Sequence, residues 1–559
     1  MTSFNSNLFR SIFLTLFGPI VLMAQETDLG SISGNVEVTA QYYLEDEVIN
    51  AALPDPILGM NSYTNLIYNR GNFSAGIRYE SYLGPLAGYP PGFEGTGLGY
   101  RYASFTNEEL SVTVGNFYEQ YGSGMLLRSY EERTLGLDNA LDGIKATYKP
   151  ATGITLRGMV GKHRRRFDNG LINGEGIIRG FDAEMDINSL IPKMEDSELR
   201  LSIAGSFVSK FNDQNNIDTL ILPKNVGAYG ARLSADYKNW RFTAEFNQKE
   251  NDPVPYDNDQ FDYIYSKGKG AILTLDYSTK GFGVGVTAKY MDNMIWRSTN
   301  LPAGLTELLI GYIPALNRQH TYNLAATLYP YVTNLYGEVS LGADVLYTIP
   351  KGSELGGKYG TKIALNGVAN FAPKRTYLND EGGRRLGHTA KLFAIEDSLF
   401  AHDYNITVSK KFNKKVKGIF AFYNFEFDDR VSLVAVIHER IFANIAVADI
   451  TWKFKPKHAL RFELQGLWTE QDQGDWAFAQ VEYSMSPHWF IAILDQYNYG
   501  NADPDKRYHY ALGNVGYVKG ANRISLQYGR QRAGFFCVGG ICRAVPASNS
   551  VLLSIISSF

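Results

Sequence analysis

The chain is poor in cysteine and lacks long apolar stretches. Only two of its 559 residues are cysteines. No run of about 18 apolar residues recurs along it, which excludes a bundle of membrane-spanning helices. The formal net charge is −3, so the chain as a whole gives no reason to expect a nucleic-acid partner. No linker, low-complexity tract or shift in composition divides it into the several domains that a soluble chain of this length would contain.

Recognisable catalytic and cofactor motifs are also missing. The eight histidines are scattered, and His438-Glu439 lacks the second histidine that a zinc protease helix carries four residues later. There is no Gly-x-Ser-x-Gly elbow in a strand-to-helix context and no phosphate-binding loop. We therefore predict no catalytic residues, no metal site and no cofactor. Because barrel enzymes assemble their sites from distant residues, a barrel hydrolase acting on lipid or peptide stays open as a third, disfavoured hypothesis.

The first 24 residues have the pattern of a cleaved signal peptide. Residues 1–10 carry one cation and no acid, residues 11–23 are almost wholly apolar, and Leu22 and Ala24 occupy the −3 and −1 places of a cleavage site. A retained membrane anchor is the alternative. It is disfavoured because the apolar run is shorter than the ~20 residues of a spanning helix.

Alternation with period two runs through the rest of the chain. Leu460, Phe462 and Leu464 share one face of a strand, while Arg461 and Glu463 share the other. A soluble sandwich alternates as well, but full charges in the middle of a polar face fit a wet barrel lumen. Aromatic residues gather near the strand ends, where membrane interfaces would lie: Tyr42, Trp240, Trp468, Trp489 and Tyr517.

These patterns predict an all-β fold, a single large transmembrane antiparallel β-barrel of about 24–26 strands with long extracellular loops. The barrel would occupy residues 25–559. Because the first strand begins near Ile32, we expect no N-terminal plug domain. Between Lys358 and His402 the pattern requires either an extra strand near Lys391–Glu396 or a long loop on the unexpected side. An even strand total favours the extra strand.

The C-terminus has the pattern of a barrel-closing strand. Val551, Leu553, Ile555 and Phe559 lie at alternate positions and share one face. A terminal aromatic on such a strand is typical of outer-membrane barrels. Together with the leader, it predicts a protein of the bacterial outer membrane, in contact with lipid and lipopolysaccharide and inserted by the barrel-assembly machinery.

Cys537 and Cys542 flank a tight Gly-Gly reversal just before that strand. In an exported chain this spacing favours a disulfide. The direction of the last strand places the hairpin at the outer rim. Its exposed apolar side chains would be costly in water, which suits a docking site for an outer-membrane protein or a lipoprotein. The candidate docking residues are Phe535, Phe536, Val538 and Ile541.

Charged residues are dense in the segment Gly115–Asp142. One interpretation is a loop folded into the lumen, where opposed charges form a constriction that selects solutes. The alternative is an ordinary solvated loop with local ion pairs. The candidate constriction residues are Arg128, Glu131, Glu132, Arg133, Asp138 and Asp142.

A basic run, Lys162-His163-Arg164-Arg165-Arg166, falls on a predicted outer loop. It would suit the anionic head groups of lipopolysaccharide or an acidic partner. The alternative is a solvated run with no partner.

Two stretches, Val114 to Ile144 and Gln531 to Phe559, resemble an uncharacterised family of Bacteroidota outer-membrane barrel proteins, a domain of unknown function. The resemblance implies the barrel and its location. It implies no activity.

Two functions therefore compete. The first is porin-like passage of a small polar solute or peptide through a loop-constricted lumen, which would suit a barrel wide enough to need internal loops. The second is a structural or assembly subunit of an outer-membrane complex, with partners docked on its extracellular loops and a lumen plugged by loops.

Overall fold

The computed structural model describes residues 29–559, with gaps at 85, 87, 91, 214–215, 218–219, 257–258, 265, 301–306, 379–386, 432–438 and 539–540. For residues 216–217, 220–221, 254–256, 259–264, 535–538 and 541–542 only the backbone is described. The predicted leader, residues 1–24, lies outside the described part, as does any segment that precedes the barrel. The cleaved leader and the absence of a plug domain therefore stay predictions.

Twenty-four strands form one antiparallel sheet. They are β1 Ser31–Leu44, β2 Leu58–Arg70, β3 Phe73–Leu83, β4 Phe93–Thr106, β5 Leu110–Phe117, β6 Leu141–Ala151, β7 Ile154–Asp168, β8 Leu171–Asp186, β9 Leu199–Phe211, β10 Asn225–Tyr237, β11 Trp240–Lys249, β12 Gly268–Thr279, β13 Phe282–Asp292, β14 Gly337–Ile349, β15 Thr361–Tyr377, β16 His388–Lys411, β17 Val416–Asp428, β18 Arg440–Lys455, β19 His458–Trp468, β20 Trp476–Met485, β21 Trp489–Tyr497, β22 Leu512–Lys519, β23 Asn522–Gln531 and β24 Ser548–Ser558.

The sheet closes on itself. Each strand pairs with the next, and β24 pairs with both β23 and β1. At the seam the backbones of Gly34 and Phe559 exchange two hydrogen bonds of 2.9 Å. The run containing Val551, Leu553 and Ile555 therefore lies in the strand that closes the barrel. This confirms the predicted single large antiparallel barrel, at the lower end of the expected strand number.

Burial in the wall is inverted relative to a soluble protein. On β19 the side chains of Phe462 and Leu464 point outward and are 40% and 59% exposed, while Glu463 and Gln465 point inward and are 5% exposed. Exposed aromatic residues mark both ends of the wall, with Trp489 at one end and Trp468 at the other. An apolar outer band between aromatic belts is what a lipid-facing barrel requires. Among the described residues, no helix is long and apolar enough to cross a membrane.

The connections differ at the two ends of the barrel. At one end, called here the turn end, most are short, such as residues 71–72 between β2 and β3 and residues 238–239 between β10 and β11. At the other, the loop end, they include residues 45–57, 118–140 and 293–336. Long loops are therefore present, as the sequence predicts, and they lie at one end of the barrel.

The region between Lys358 and His402 differs from both alternatives that the sequence left open. Residues 391–396 belong to β16, which runs unbroken from His388 to Lys411 and pairs with β15. The register between these strands shifts at three places near Phe371 and Pro373, and Phe393 adopts a positive φ of 57°. Such irregularities bend a strand without ending it. They interrupt the alternation that the strand count depends on.

Candidate functional site

Two loop-end connections fold into the barrel instead of standing above it. We call residues 118–140, between β5 and β6, plug segment A, and residues 293–336, between β13 and β14, plug segment B. Ser123 of segment A donates to the carboxylate of Glu245 on β11 from its backbone N–H (2.8 Å) and from its hydroxyl (2.9 Å). In segment B the N–H of Leu324 donates to the side chain of Gln465 on β19 (3.0 Å). Because Glu245 and Gln465 face inward, both segments lie in the lumen.

Glycines set the path of segment A. It contains two short ladders, Gln120–Tyr121 with Leu127–Arg128 and Glu131–Glu132 with Leu137–Asp138. Gly122 and Gly136 have φ values of 53° and 67°, a region that side chains other than glycine rarely adopt. A Cβ atom at Gly122 would also lie 2.5 Å from the carboxylate of Glu245. The glycines therefore allow the tight turns and the close approach to the wall.

The two plug segments pack against each other as a hydrophobic core. Leu127 and Trp296 are fully buried, and Met125 and Ile310 belong to the same cluster. Backbone hydrogen bonds join the segments, from the N–H of Arg128 to the carbonyl of Ile310 (2.8 Å) and from the N–H of Tyr312 to the carbonyl of Gly124 (2.9 Å). Burying apolar side chains of this size contributes about 1.5–3 kcal/mol each. The lumen therefore contains packed protein.

A buried charge network ties segment A to the wall. Arg78 on β3 contacts Glu80 (2.6 Å), Glu131 (2.9 Å) and Asp138 (2.6 Å). Arg164 on β7 contacts Glu80 (2.6 Å) and Asp138 (2.8 Å). Arg78 and Glu80 share a face of β3 because they are two residues apart. Bidentate and charge-assisted contacts of this kind are the strong hydrogen bonds of proteins, so the network holds the middle of segment A in place.

Arg133 extends the network toward β1. Its guanidinium contacts Glu131 (2.9 Å) and Glu37 on β1 (2.8 Å). Burial by itself would lower the pKa of Arg133, but the hydrogen bonds and charge of Glu131, with help from Glu37, outweigh burial and raise that pKa above its ordinary value. The cation is therefore held in its charged form by carboxylates from two elements.

The structure brings together only half of the predicted constriction residues. Glu131, Arg133 and Asp138 lie in the buried charge network. Glu132 instead accepts from the backbone N–H of Thr134 (3.2 Å) and caps the short helical turn Arg133–Leu135. A role for these residues in selecting solutes stays a prediction.

The other two predicted constriction residues lie apart from that network. The guanidinium of Arg128 lies over the ring of Tyr130 at 4.4 Å. Asp142 lies on β6, where it pairs with Arg101 (3.2 Å) and accepts from Asn173 (2.8 Å). Neither side chain joins Glu131 and Asp138, so the six residues do not form one ring of charge.

The basic run 162–166 is not on an outer loop, and that prediction was wrong. All five residues lie on β7, and a register shift between Lys162 and Arg164 lets the consecutive residues His163 and Arg164 both point inward, 0% and 2% exposed. Arg165 pairs with Glu307 (2.8 Å). The run appeared loop-like because register shifts between Lys162 and Arg166 break the period of two. Arg164 was thus a missed member of the network, along with Arg78, Glu80 and Glu37.

Segment B has anchors of its own, which the sequence did not predict. At its base, Lys289 and Glu338 form a fully buried ion pair of 2.6 Å. His320 lies 2.7 Å from Asp403 on β16, and Tyr322 donates to Asp449 on β18 (3.3 Å). Polar groups on several different strands therefore hold segment B.

The C-terminal hairpin also reaches the plug segments. Its strands Gly534–Val538 and Ile541–Val545 pair with Cys537 directly opposite Cys542. The hairpin backbone lies beside the short helix Asn323–Thr327 of segment B and the turn Arg133–Leu135 of segment A. The side chains of both cysteines, and of Phe535, Phe536, Val538 and Ile541, lie outside the described part. The disulfide and the docking role therefore stay predictions.

Metal chemistry finds no support among the side chains that the structure describes. Within them, no three histidine, cysteine, aspartate or glutamate groups converge as a metal site.

Several solved outer-membrane proteins are distantly similar to this chain. The siderophore receptor PirA from Pseudomonas aeruginosa is 9% identical, with 96% of this chain and 81% of that chain covered and a TM-score of 0.41. The P pilus usher PapC translocation pore is 7% identical, with 94% and 99% covered and a TM-score of 0.38. The outer membrane protein opdK from Pseudomonas aeruginosa is 7% identical, with 95% and 99% covered and a TM-score of 0.33. Likeness at this level carries no argument.

Comparison with sequences is more specific. No curated protein matches the chain. The model of a family of unknown function, DUF6029, matches residues 6–559. This agrees with the resemblance to an uncharacterised family, while the Bacteroidota origin stays a prediction. The chain belongs to the DUF6029 family.

Proposed function

We propose that this protein is an outer-membrane β-barrel that is closed at rest and acts as a structural or assembly subunit, not as an open porin. The observation that carries the proposal is the core formed inside the lumen by the two plug segments, with Leu127 and Trp296 fully buried. A barrel of this strand number is wide enough for an aqueous channel unless its lumen is filled. Here inward-folded chain occupies the lumen, and apolar side chains of the two plug segments pack together inside it.

Two further features support the outer-membrane location. The wall is closed, so no strand edge exposes unpaired backbone groups to lipid. Its outward face is apolar, as at Phe462 and Leu464. Lipid and lipopolysaccharide are then the surroundings of the barrel, and the barrel-assembly machinery is its partner during insertion.

Conductance in planar bilayers tests the closed state. We expect purified, folded protein to show no channels above background. Folding is checked by the shift in electrophoretic mobility on heating. A steady wild-type conductance from folded protein would overturn the closed state and favour the porin.

The partner-docking role is tested at the C-terminal hairpin, for which we also propose the Cys537–Cys542 disulfide. Residues directly opposite in an antiparallel pair have Cα atoms about 4.5–5.5 Å apart, which is within the span that a disulfide bridges. We expect the native protein to resist thiol labelling and to retain a stoichiometric partner in mild detergent. The double variant Cys537→Ser/Cys542→Ser should lose that partner. A clean monomer from native membranes would contradict docking.

A second candidate is gated passage of a small polar solute or peptide. It is favoured by a cavity of about 100 Å³ between segment B and the wall, whose lining includes Arg318, His320 and Asp403. Passage would then require segment B to move. Solute uptake into vesicles by the wild-type protein would support this candidate, and the absence of uptake would count against it.

A further inference from the structure

A second cavity lies between the barrel wall, segment A and the C-terminal loop. Its volume is about 260 Å³, a little below the ~300–1,000 Å³ that is typical of ligand pockets, so it suits only a small ligand. The wall contributes Asn61 and Tyr63 of β2, and segment A contributes Arg133. Tyr89, which follows β3, and Arg543, in the C-terminal hairpin, also line it. The remaining lining residues are Glu37, Thr39, Leu86, Thr134, Gln531 and Val545. The cavity is therefore built from elements that only the closed barrel brings together.

Arg543 presents an uncompensated positive charge to this cavity. Among the described residues no carboxylate pairs with it, and its buried Nε atom has no hydrogen-bond partner. The guanidinium carbon of Arg543 lies 5.5 Å from the centre of the Tyr89 ring. Arg133 in the same lining is satisfied by Glu37 and Glu131. An unpaired, partly buried cation is costly, so one anionic group would stabilise Arg543.

A second polar group in the lining is also unpartnered. Asn61 is 4% exposed, and its side-chain Oδ1 has no hydrogen-bond partner among the described residues. A buried acceptor without a donor destabilises the folded state. A ligand hydroxyl or N–H would satisfy it.

Aromatic and aliphatic side chains contribute much of the remaining lining, beside the polar side chains of Glu37, Thr39, Thr134 and Gln531. The hydroxyls of Tyr63 and Tyr89 lie 2.9 Å apart and bond to each other, so these side chains are held together and their rings form part of the lining. Leu86 and Val545 add aliphatic surface. Such a lining suits a flat or ring-shaped apolar body better than a bare inorganic ion.

From this geometry we infer that the cavity binds a small organic monoanion. Its carboxylate would pair with the guanidinium of Arg543, its ring would lie against Tyr63 and Tyr89, and a hydroxyl would donate to Asn61. This site is independent of whether the barrel docks partners or passes solutes, because it needs only the closed barrel wall, segment A and the C-terminal hairpin.

Calorimetric titration of the purified full-length protein in detergent tests the inference. The probes are 4-hydroxybenzoate, its neutral isostere 4-hydroxybenzamide, and inorganic phosphate. We expect saturable binding of 4-hydroxybenzoate, with binding of the amide and of phosphate weaker by about tenfold or more, since hydrogen bonds to charged groups contribute about 1.5–3 kcal/mol.

Variants assign the binding to the cavity. Arg543→Ala should weaken 4-hydroxybenzoate at least about tenfold, and Arg543→Lys should weaken it less because the charge remains. The control Arg507→Ala changes an arginine in another loop, whose Nε donates to the carbonyl of Asn501 (3.0 Å), and should bind as wild type does.

Three outcomes would overturn the inference. They are no saturable binding of 4-hydroxybenzoate, equal binding of acid and amide, and phosphate binding as tight as that of the aromatic acid. The comparison of acid with amide uses the wild-type protein, so it stands even if Arg543→Ala fails to fold.

Discussion

At the scale of single residues, this protein places its charges where a soluble protein places its apolar side chains. Arg78 and Arg164 are 3% and 2% exposed, and Glu80 between them is fully buried. A buried ion pair adds little net stability when compared with an apolar replacement, but removal of one partner leaves an uncompensated charge. The network therefore determines where segment A lies, and its loss is costly.

Arg164→Met provides the residue-scale prediction. It leaves Glu80 and Asp138 with one cation fewer, so we expect the free energy of unfolding to fall by about 3–5 kcal/mol. Urea unfolding in lipid vesicles measures it. The matched control is the next residue, Arg165→Met, whose partner Glu307 lies nearer solvent and whose loss should cost about 0–1 kcal/mol. Equal losses in the two variants would contradict a structural role for the network.

At this scale the sequence predicted which way each side chain points, but it did not predict which side chains contact each other. Period two correctly places Glu463 inward and Phe462 outward, because successive residues of any strand point to opposite faces. The period of two does not predict the ion pair between Arg164 and Asp138, because one residue lies on β7 and the other in a loop. The only sequence feature that drew attention to Arg164 was the basic run. The register shifts made this run look like a loop instead of a strand.

At the scale of elements, the plug segments are insertions into otherwise simple hairpins. Asp292 and Gly337 are directly paired at the base of segment B, as Phe117 and Leu141 are at the base of segment A. Each segment therefore leaves the wall and returns to it between neighbouring residues. The wall does not need the segments in order to close.

This geometry predicts the result of an excision. Replacing residues 293–336 by a two-residue Asn-Gly turn joins β13 to β14 as a short hairpin. We expect the barrel to assemble and to conduct ions in planar bilayers, because one of the two plug segments is gone. The control shortens residues 350–360 at the turn end, between the paired Ile349 and Thr361, and should stay closed. An excised barrel that is folded and silent would contradict plugging by segment B.

Two strands also show where prediction of strands from the sequence alternation fails. The 24-residue strand β16 faces the 17-residue strand β15, and the surplus is taken up by register shifts. Because alternation is lost at each shift, the sequence pattern indicated an extra strand where the structure has one long, bent strand.

At the scale of the whole molecule, the exposed apolar belt provides a test of membrane insertion. Leu464 lies near the middle of β19 and points outward. If lipid surrounds it, Leu464→Arg should reduce the free energy of folding into vesicles by about 2–4 kcal/mol. Leu464→Met, which keeps the apolar volume, should cost less than about 1.5 kcal/mol. An arginine without effect would place this face in water.

Closure by Phe559 leads to a second prediction at this scale. The side chain is 66% exposed, and the deletion removes two backbone hydrogen bonds to Gly34, so the unfolding free energy of refolded protein should fall by no more than about 1–3 kcal/mol. If the assembly machinery recognises the terminal aromatic residue, the same deletion should strongly reduce the fraction of folded protein in cells. That fraction is the part whose electrophoretic mobility shifts on heating. Phe559→Tyr keeps the ring and serves as the control. Unchanged assembly after the deletion would argue against recognition of this residue.

The sequence by itself determined the wall of this protein: an all-β, closed barrel with an apolar outside and a polar inside. It did so because the period of a strand is local and each strand displays it independently. The contents of the lumen inside this wall were decided by the tertiary structure. Arg78 and Asp138 lie 60 residues apart in sequence, and Arg164 and Glu80 lie 84 apart, yet each pair is in direct contact. A charged loop folds into the lumen when complementary groups on distant strands can bind it, and otherwise it lies in solvent. Only the closed barrel brings those groups together.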